Sequence, residues 1–251
     1  MPSAVILLHN ANQLTDDDSD RFLACLSTEE LLRYQRFLRP LRQREYLLGR
    51  ILLRFAVARL AGIAPDAVCV TERKNQAPLV QLPVTGSATP PYFSLSHSRG
   101  WVACAVSGDT ALGLDIEILD AERDVDAIGR AAFSGAESNW LSSRPVGDKV
   151  ADFYALWSSK EALFKLMSAQ EGGTAPPEQV AAGVRLRSGS DWHARTWSQQ
   201  GLAMTLCSRD RLQSVARICL CGATPSAWSQ EITQHLPQHL PQHSLQQSSH
   251  H

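Results

Sequence analysis

The chain has 251 residues, 44% apolar and 20% charged, a balance that suits a globular protein with a buried core and excludes a disordered chain. Its 24 basic and 25 acidic residues leave a formal net charge of −1, so no global field points to nucleic acid or to a membrane surface. Charge is nevertheless uneven. Arg33, Arg36, Arg39, Arg42, Arg44, Arg50, Arg54 and Arg59 share one segment with a single acid, Glu45. Such a cluster can hold phosphates or simply form a solvated helix face. The six cysteines show no C-x-x-C pair and no zinc-like spacing, which reads as reduced thiols in a cytoplasmic protein. The opening residues carry no basic leader, and no run approaches the roughly 20 apolar residues of a membrane span.

Residues 4–8 read as a first strand. Ser27-Thr28-Glu29-Glu30 is a capping box that opens a helix running to about Arg39, ended by Pro40. Leu41 to Ala61 reads as an amphipathic helix with Leu47, Leu48, Ile51, Leu52, Phe55 and Ala58 on one face, closed by Gly62. Residues 68–71 form a strand and 83–91 a loop. Tyr92–Ser96 and Val102–Val106 are strands around a turn at Ser98-Arg99-Gly100, and Ala111–Ile118 is a third. Helical stretches follow at 126–132 and 136–141, a loop at 142–148, and a helix from Asp152 to about Ser168, stopped by Gly172-Gly173. Later strands are expected near 183–187, 202–207 and 214–221. From about 229 the chain is low-complexity, with Gln-His-Leu-Pro twice in succession, and is expected to be disordered. The prolines argue against a helix that could gather its histidines on a metal. Each half of the chain pairs helices with strands, and the join lies near 100–110. This order predicts an α+β, pseudo-dimeric architecture of two similar subdomains, each with a small antiparallel sheet packed on helices.

Three segments carry chemistry. In Gly113-Leu114-Asp115-Ile116-Glu117-Ile118, strand alternation sends Leu114, Ile116 and Ile118 to the core and sets Asp115 and Glu117 side by side on the other face. Two adjacent carboxylates need a partner, and oxygen-rich sites with few protein ligands suit magnesium; an ordinary solvent-facing strand is the plain alternative. In Trp157-Ser158-Ser159-Lys160-Glu161-Ala162-Leu163-Phe164-Lys165, Glu161 and Lys165 share a helix face, which alone reads as a surface ion pair. The chain has only four lysines, and two lie here. Tyr92-Phe93-Ser94-Leu95-Ser96-His97-Ser98 reads as a strand running into a Ser-His-Ser turn, whose amides, hydroxyls and imidazole suit a phosphate; a polar turn is the alternative. A Ser96 nucleophile lacks the Gly-x-Ser-x-Gly elbow.

In this order and spacing the three segments resemble the surfactin-synthetase-activating type of 4'-phosphopantetheinyl transferase, as do Arg33 and Leu-Leu-Gly-Arg at 47–50. The resemblance covers roughly residues 26–187. It implies transfer of the phosphopantetheine group from coenzyme A to a serine of an acyl or peptidyl carrier protein, with release of adenosine 3',5'-bisphosphate. It implies magnesium held by Asp115, Glu117 and Glu161, and Glu161 and Lys165 as catalytic groups. Coenzyme A contacts are implied for Arg33, at the 3'-phosphate, and for Ser96, His97, Asp115 and Lys165. The family's Gly-Lys-Pro or Gly-Arg-Pro is replaced by Arg73-Lys74-Asn75-Gln76-Ala77-Pro78, where Arg73 or Lys74 would substitute for the missing base. The expected division is 1–107 for the coenzyme phosphates, 108–228 for metal and catalysis, and 229–251 as tail. The resemblance also implies a monomer acting on an apo carrier protein, with no nucleic acid or membrane partner. A magnesium-dependent pyrophosphohydrolase and a non-catalytic coenzyme A binder are the competing readings.

Overall fold

A computed structural model describes residues 1–73, 77–83, 90–170, 191–199, 201–221, 227–228 and 230–232. The chain runs β1 (Ser3–Asn10), α1 (Asp16–Leu23), α2 (Thr28–Gln35), α3 (Pro40–Ala61), β2 (Cys69–Thr71), β3 (Leu79–Gln81), β4 (Tyr92–Ser98), β5 (Trp101–Ser107), β6 (Leu112–Ile118), α4 (Val125–Ala132), α5 (Gly135–Ser142), α6 (Val146–Gln170), β7 (His193–Gln199), β8 (Leu202–Ser208) and β9 (Ser214–Cys219). With the small β2–β3 hairpin set aside, one series occurs twice: a strand, two short helices, a long helix and a hairpin. The sheets repeat it too, in the orders β4-β5-β1 and β7-β8-β6, each antiparallel throughout. The expected pseudo-dimer is therefore present in topology. β9 is an addition, pairing parallel with β1 at the free edge of the first sheet.

Local sequence explains most boundaries. Thr15 with Asp18, Ser27 with Glu30, and Ser134 with Glu137 each form a reciprocal capping box at the start of α1, α2 and α5. The helix expected to reach Arg39 ends at Gln35, and Arg39, driven from the helical region by the proline after it, is extended (φ −95°, ψ 122°). Pro40 instead begins α3, where its missing N–H costs nothing. α1 was not anticipated, and α6 begins six residues earlier than expected, with the Pro145 carbonyl accepting from the amides of Asp148 and Lys149. The expected strand at 183–187 and the stop at 172–173 lie outside the described residues. α3 is not amphipathic: every residue from Glu45 to Ala58 is buried, since the first sheet covers one side and α1, α2 and the chain's end the other.

Burying that helix all round buries its charges. Arg54 makes a two-pronged pair with Glu30, at 3.0 and 2.6 Å, with both side chains out of solvent. Removing one partner of such a pair typically costs about 3–5 kcal/mol, so Glu30→Ala is expected to lower stability by that amount in urea unfolding. A change below about 1 kcal/mol would show the pair to be solvent-screened.

The division at 107/108, with the second unit running to 228, does not describe the chain's end. β9 belongs to the first sheet. Trp228 is fully buried in the first core, its ring 5.1 Å from both His9 and Phe22 and 5.6 Å from Phe55. Ile232 is buried there too, so an ordered part of the chain extends past 229. The rest of the expected tail lies outside the described residues. Between the two sheets a second core joins Ala4, Ile6 and Leu8 of β1 to Leu114, Ile116 and Leu206.

Candidate active site

The two sheets meet where edge strand β4 lies against edge strand β6. An edge strand presents unpaired backbone groups, and here side chains satisfy them. The amides of Leu114, Ile116 and Ile118 donate to the hydroxyls of Ser94, Ser96 and Ser98 at 2.9, 3.2 and 3.2 Å. Two of those hydroxyls then donate onward: Ser96 to Asp115 Oδ1 at 2.9 Å, and Ser98 to Glu117 Oε2 at 2.8 Å. Three serines at every second position are what a one-faced strand places on one side. They tie the two halves together and orient both acids of β6.

α6 covers the acidic face of β6 at close range. A Cβ on Gly113 would lie 2.1 Å from the Ala162 carbonyl oxygen and 2.5 Å from the Leu166 nitrogen, so only glycine admits this approach. The crossing brings Lys165 to Asp115 Oδ1 (2.7 Å), Ser96 Oγ (3.1 Å) and the Leu114 carbonyl (3.1 Å). Lys165 is thus more than the surface partner of Glu161 that helix spacing suggests.

The site is short of positive charge. Asp115 is 4% exposed, and burial pushes its carboxyl up despite Lys165 and Ser96. Burial likewise raises Glu117 and Glu161, and the Asp115 charge beside them adds to the effect. Asp115 Oδ2 is buried without a hydrogen-bond partner. Among the described residues no three His, Cys, Asp or Glu side chains converge as a metal-binding group. The donor chemistry nonetheless fits a hard divalent cation: carboxylate oxygens, one of them orphaned, in a place where ionisation is disfavoured without added positive charge.

The other expected ligands are placed differently. Ser-His-Ser is not a turn: β4 continues through Ser98, paired in register with β5. The two-residue turn is Arg99-Gly100, both at positive φ (48° and 91°), as a tight hairpin of this type requires. Ser96 and His97 therefore project from opposite faces. Ser96 joins the carboxylates, whereas His97 Nδ1 lies 3.1 Å from Glu45 Oε2 on α3. Glu45 Oε1 accepts from the Gly100 amide at 2.8 Å. Arg33 is engaged by Glu72, which also takes Tyr46 (2.7 Å) and Arg50 (2.9 Å). Burial opposes the charge of Glu72, yet Tyr46 and the Arg50 and Arg33 guanidiniums hold its carboxyl below the usual range. Arg73 donates to the Ala77 carbonyl at 2.8 Å, and Lys74 lies outside the described residues. The basic segment is largely spent on acids of the same chain, with Arg42 on Glu45, Arg44 on Asp16, and Arg50 and Arg54 on Glu30. Sequence reasoning missed Ser94, Glu45 and Glu72, and offered the Ser98 hydroxyl to a phosphate rather than to Glu117; of these only the serines left a trace, their alternation.

Residues 111–216 match the family model described as the 4'-phosphopantetheinyl transferase superfamily, and residues 13–109 match the model for the 4'-phosphopantetheinyl transferase N-terminal region. The chain is 31% identical over 142 residues to the 4'-phosphopantetheinyl transferase HetI of a Nostoc species, covering 57% of this chain and 59% of the relative. It is 34% identical over 143 residues to the 4'-phosphopantetheinyl transferase psf-1 of Bacillus pumilus, covering 56% and 57%. To the 4'-phosphopantetheinyl transferase Sfp of Bacillus subtilis it is 27% identical over 161 residues, covering 63% and 66%. The chain thus spans under two thirds of the length of these relatives.

Proposed function

The chain belongs to the 4'-phosphopantetheinyl transferase superfamily, and on that premise we propose that it transfers the phosphopantetheine group of coenzyme A to a serine of an apo acyl or peptidyl carrier protein. The observation that carries this reading is Asp115. Its orphaned buried oxygen lies on the strand it shares with Glu117 and under the helix that bears Glu161 and Lys165. Asp115, Glu117 and Glu161 would hold magnesium, which when bound offsets the negative charge of the coenzyme's pyrophosphate. Lys165, already between Asp115 and Ser96, would place its ammonium against a phosphate oxygen as charge grows there. Glu161, whose proton affinity is raised by burial and by Asp115, would accept the proton of the carrier serine. The serine oxygen forms its bond to the pantetheine-bearing phosphorus as that phosphorus loses its bridging oxygen. The electron pair leaves with adenosine 3',5'-bisphosphate.

His97 would meet a phosphate through Nε2, since Nδ1 faces Glu45. Arg33 would reach the 3'-phosphate by leaving Glu72, with Arg73 and Lys74 as further basic groups. The duplicated halves within one chain support a monomer. Six free cysteines, four of them exposed, support a reducing, cytoplasmic setting. No helix among the described residues is long and apolar enough to cross a membrane.

The test is intact mass spectrometry of an apo carrier protein incubated with the protein, coenzyme A and magnesium. The expected result is a gain of about 340 Da, one phosphopantetheine group, abolished by EDTA and lowered at least ~100-fold in rate by Glu161→Ala. No gain with fatty-acid, polyketide and peptide-synthetase carriers, from folded protein that binds coenzyme A, would overturn the reading in favour of a binder.

A further inference from the structure

Ser98 makes two hydrogen bonds across the seam between the halves. It accepts from the Ile118 amide at 3.2 Å and donates to Glu117 Oε2 at 2.8 Å. Its side chain is buried, on the serine face of β4. The sequence motif offers its hydroxyl only to a phosphate, whereas in the structure that hydroxyl both accepts and donates within the seam. Its place is nevertheless fixed from several directions. The next residues, Arg99 and Gly100, form the hairpin turn, and Glu45 holds that turn through the Gly100 amide and the strand through His97. Glu117 thus takes its orientation from the other half of the molecule.

We propose that Ser98 is the positioning residue that aims the Glu117 carboxylate at the cation site, so that the metal site is completed by the first half of the chain. This rests on the cation reading of Asp115, Glu117 and Glu161. A hydroxyl donor on one carboxylate oxygen restrains the carboxylate's orientation and would leave the other oxygen for the ion. Partners of this kind typically contribute about 10–100-fold to metal affinity. Ser96 has the same relation to Asp115, but Lys165 holds Asp115 as well; Glu117 has Ser98 as its side-chain hydrogen-bond donor in the site.

The experiment follows the melting temperature of the full chain during a magnesium titration, without coenzyme A or carrier. The wild type is expected to gain stability with magnesium. Ser98→Ala is expected to need at least about tenfold more magnesium for half of that gain, and Ser98→Thr, which restores a hydroxyl, to return to the wild-type midpoint. Should Ser98→Ala fail to fold, Ser98→Cys, with a much weaker donor of similar size, is expected to show the same displacement. A wild-type midpoint in the Ala or Cys variant overturns the proposal while leaving the cation site intact. Absence of any magnesium response in the wild type overturns the cation reading and the proposal together, and transfer activity is then judged separately by the carrier-mass assay.

Discussion

Asp115→Ala is expected to lower carrier modification at least ~100-fold, the scale for loss of a positioned charged group at a reacting centre, read as the rate of mass gain at saturating coenzyme A. Near-normal turnover would remove Asp115 from the site. Asp115→Asn separates charge from shape. A carboxyl whose folded pKa lies above its unfolded value opposes folding once it ionises: the penalty is absent below the unfolded pKa and fully present above the folded one. Burial raises Asp115 in this way. Without metal, Asp115→Asn should therefore melt above the wild type at pH 8. That advantage should shrink as pH falls through the raised Asp115 pKa. Magnesium should shrink it too, by stabilising only the wild type. A metal-free wild type that melts higher than the variant at pH 8 would mean that Lys165 already compensates the Asp115 charge.

Gly113→Ala is the second large effect. The new methyl would lie 2.1 Å from a backbone carbonyl oxygen and 3.1 Å from the Leu166 Cα, so β6 and α6 must separate. Overpacking of this kind costs about 1–3 kcal/mol, occasionally more. The larger loss is in geometry, because Asp115 stands on one element and Glu161 and Lys165 on the other. A displacement of about 1 Å between reacting groups can cost on the order of 100-fold. We expect kcat to fall at least about tenfold beyond any loss of folded protein, measured with calorimetry on the same sample. Gly135→Ala, where nothing lies within 4 Å, serves as the silent control. Equal, near-wild-type behaviour of both variants would show that the helix yields without disturbing the acids.

What was legible in the sequence had a local cause. Alternation placed Leu114 and Ile116 in the core and Asp115 and Glu117 opposite, and a capping box located the start of α2. The order of elements sufficed for the duplication. What escaped depended on distant partners. A polar strand end and a turn look alike until β5 supplies the register, which sets Ser96 and His97 on opposite faces rather than on one ligand. The arginines looked available because Glu30 and Glu72 lie far along the chain from those they neutralise. α3 looked one-sided because its second cover, Trp228, stands next to a low-complexity tail.

β9 gives the first sheet an edge that arrives last. His9 Nδ1 meets the Leu220 carbonyl at 2.8 Å across 211 positions of sequence, and β1 lacks its outer neighbour until β9 has been made. At the ribosome, with elongation at roughly 5–20 residues per second, the first half waits on the order of 10 s between completing β5 and receiving β9. During that interval β1 offers a bare, strongly apolar edge to any passing strand. The first sheet is thus sealed only after the second has been made, and the rate of elongation between β5 and β9 sets how long its apolar edge stays open.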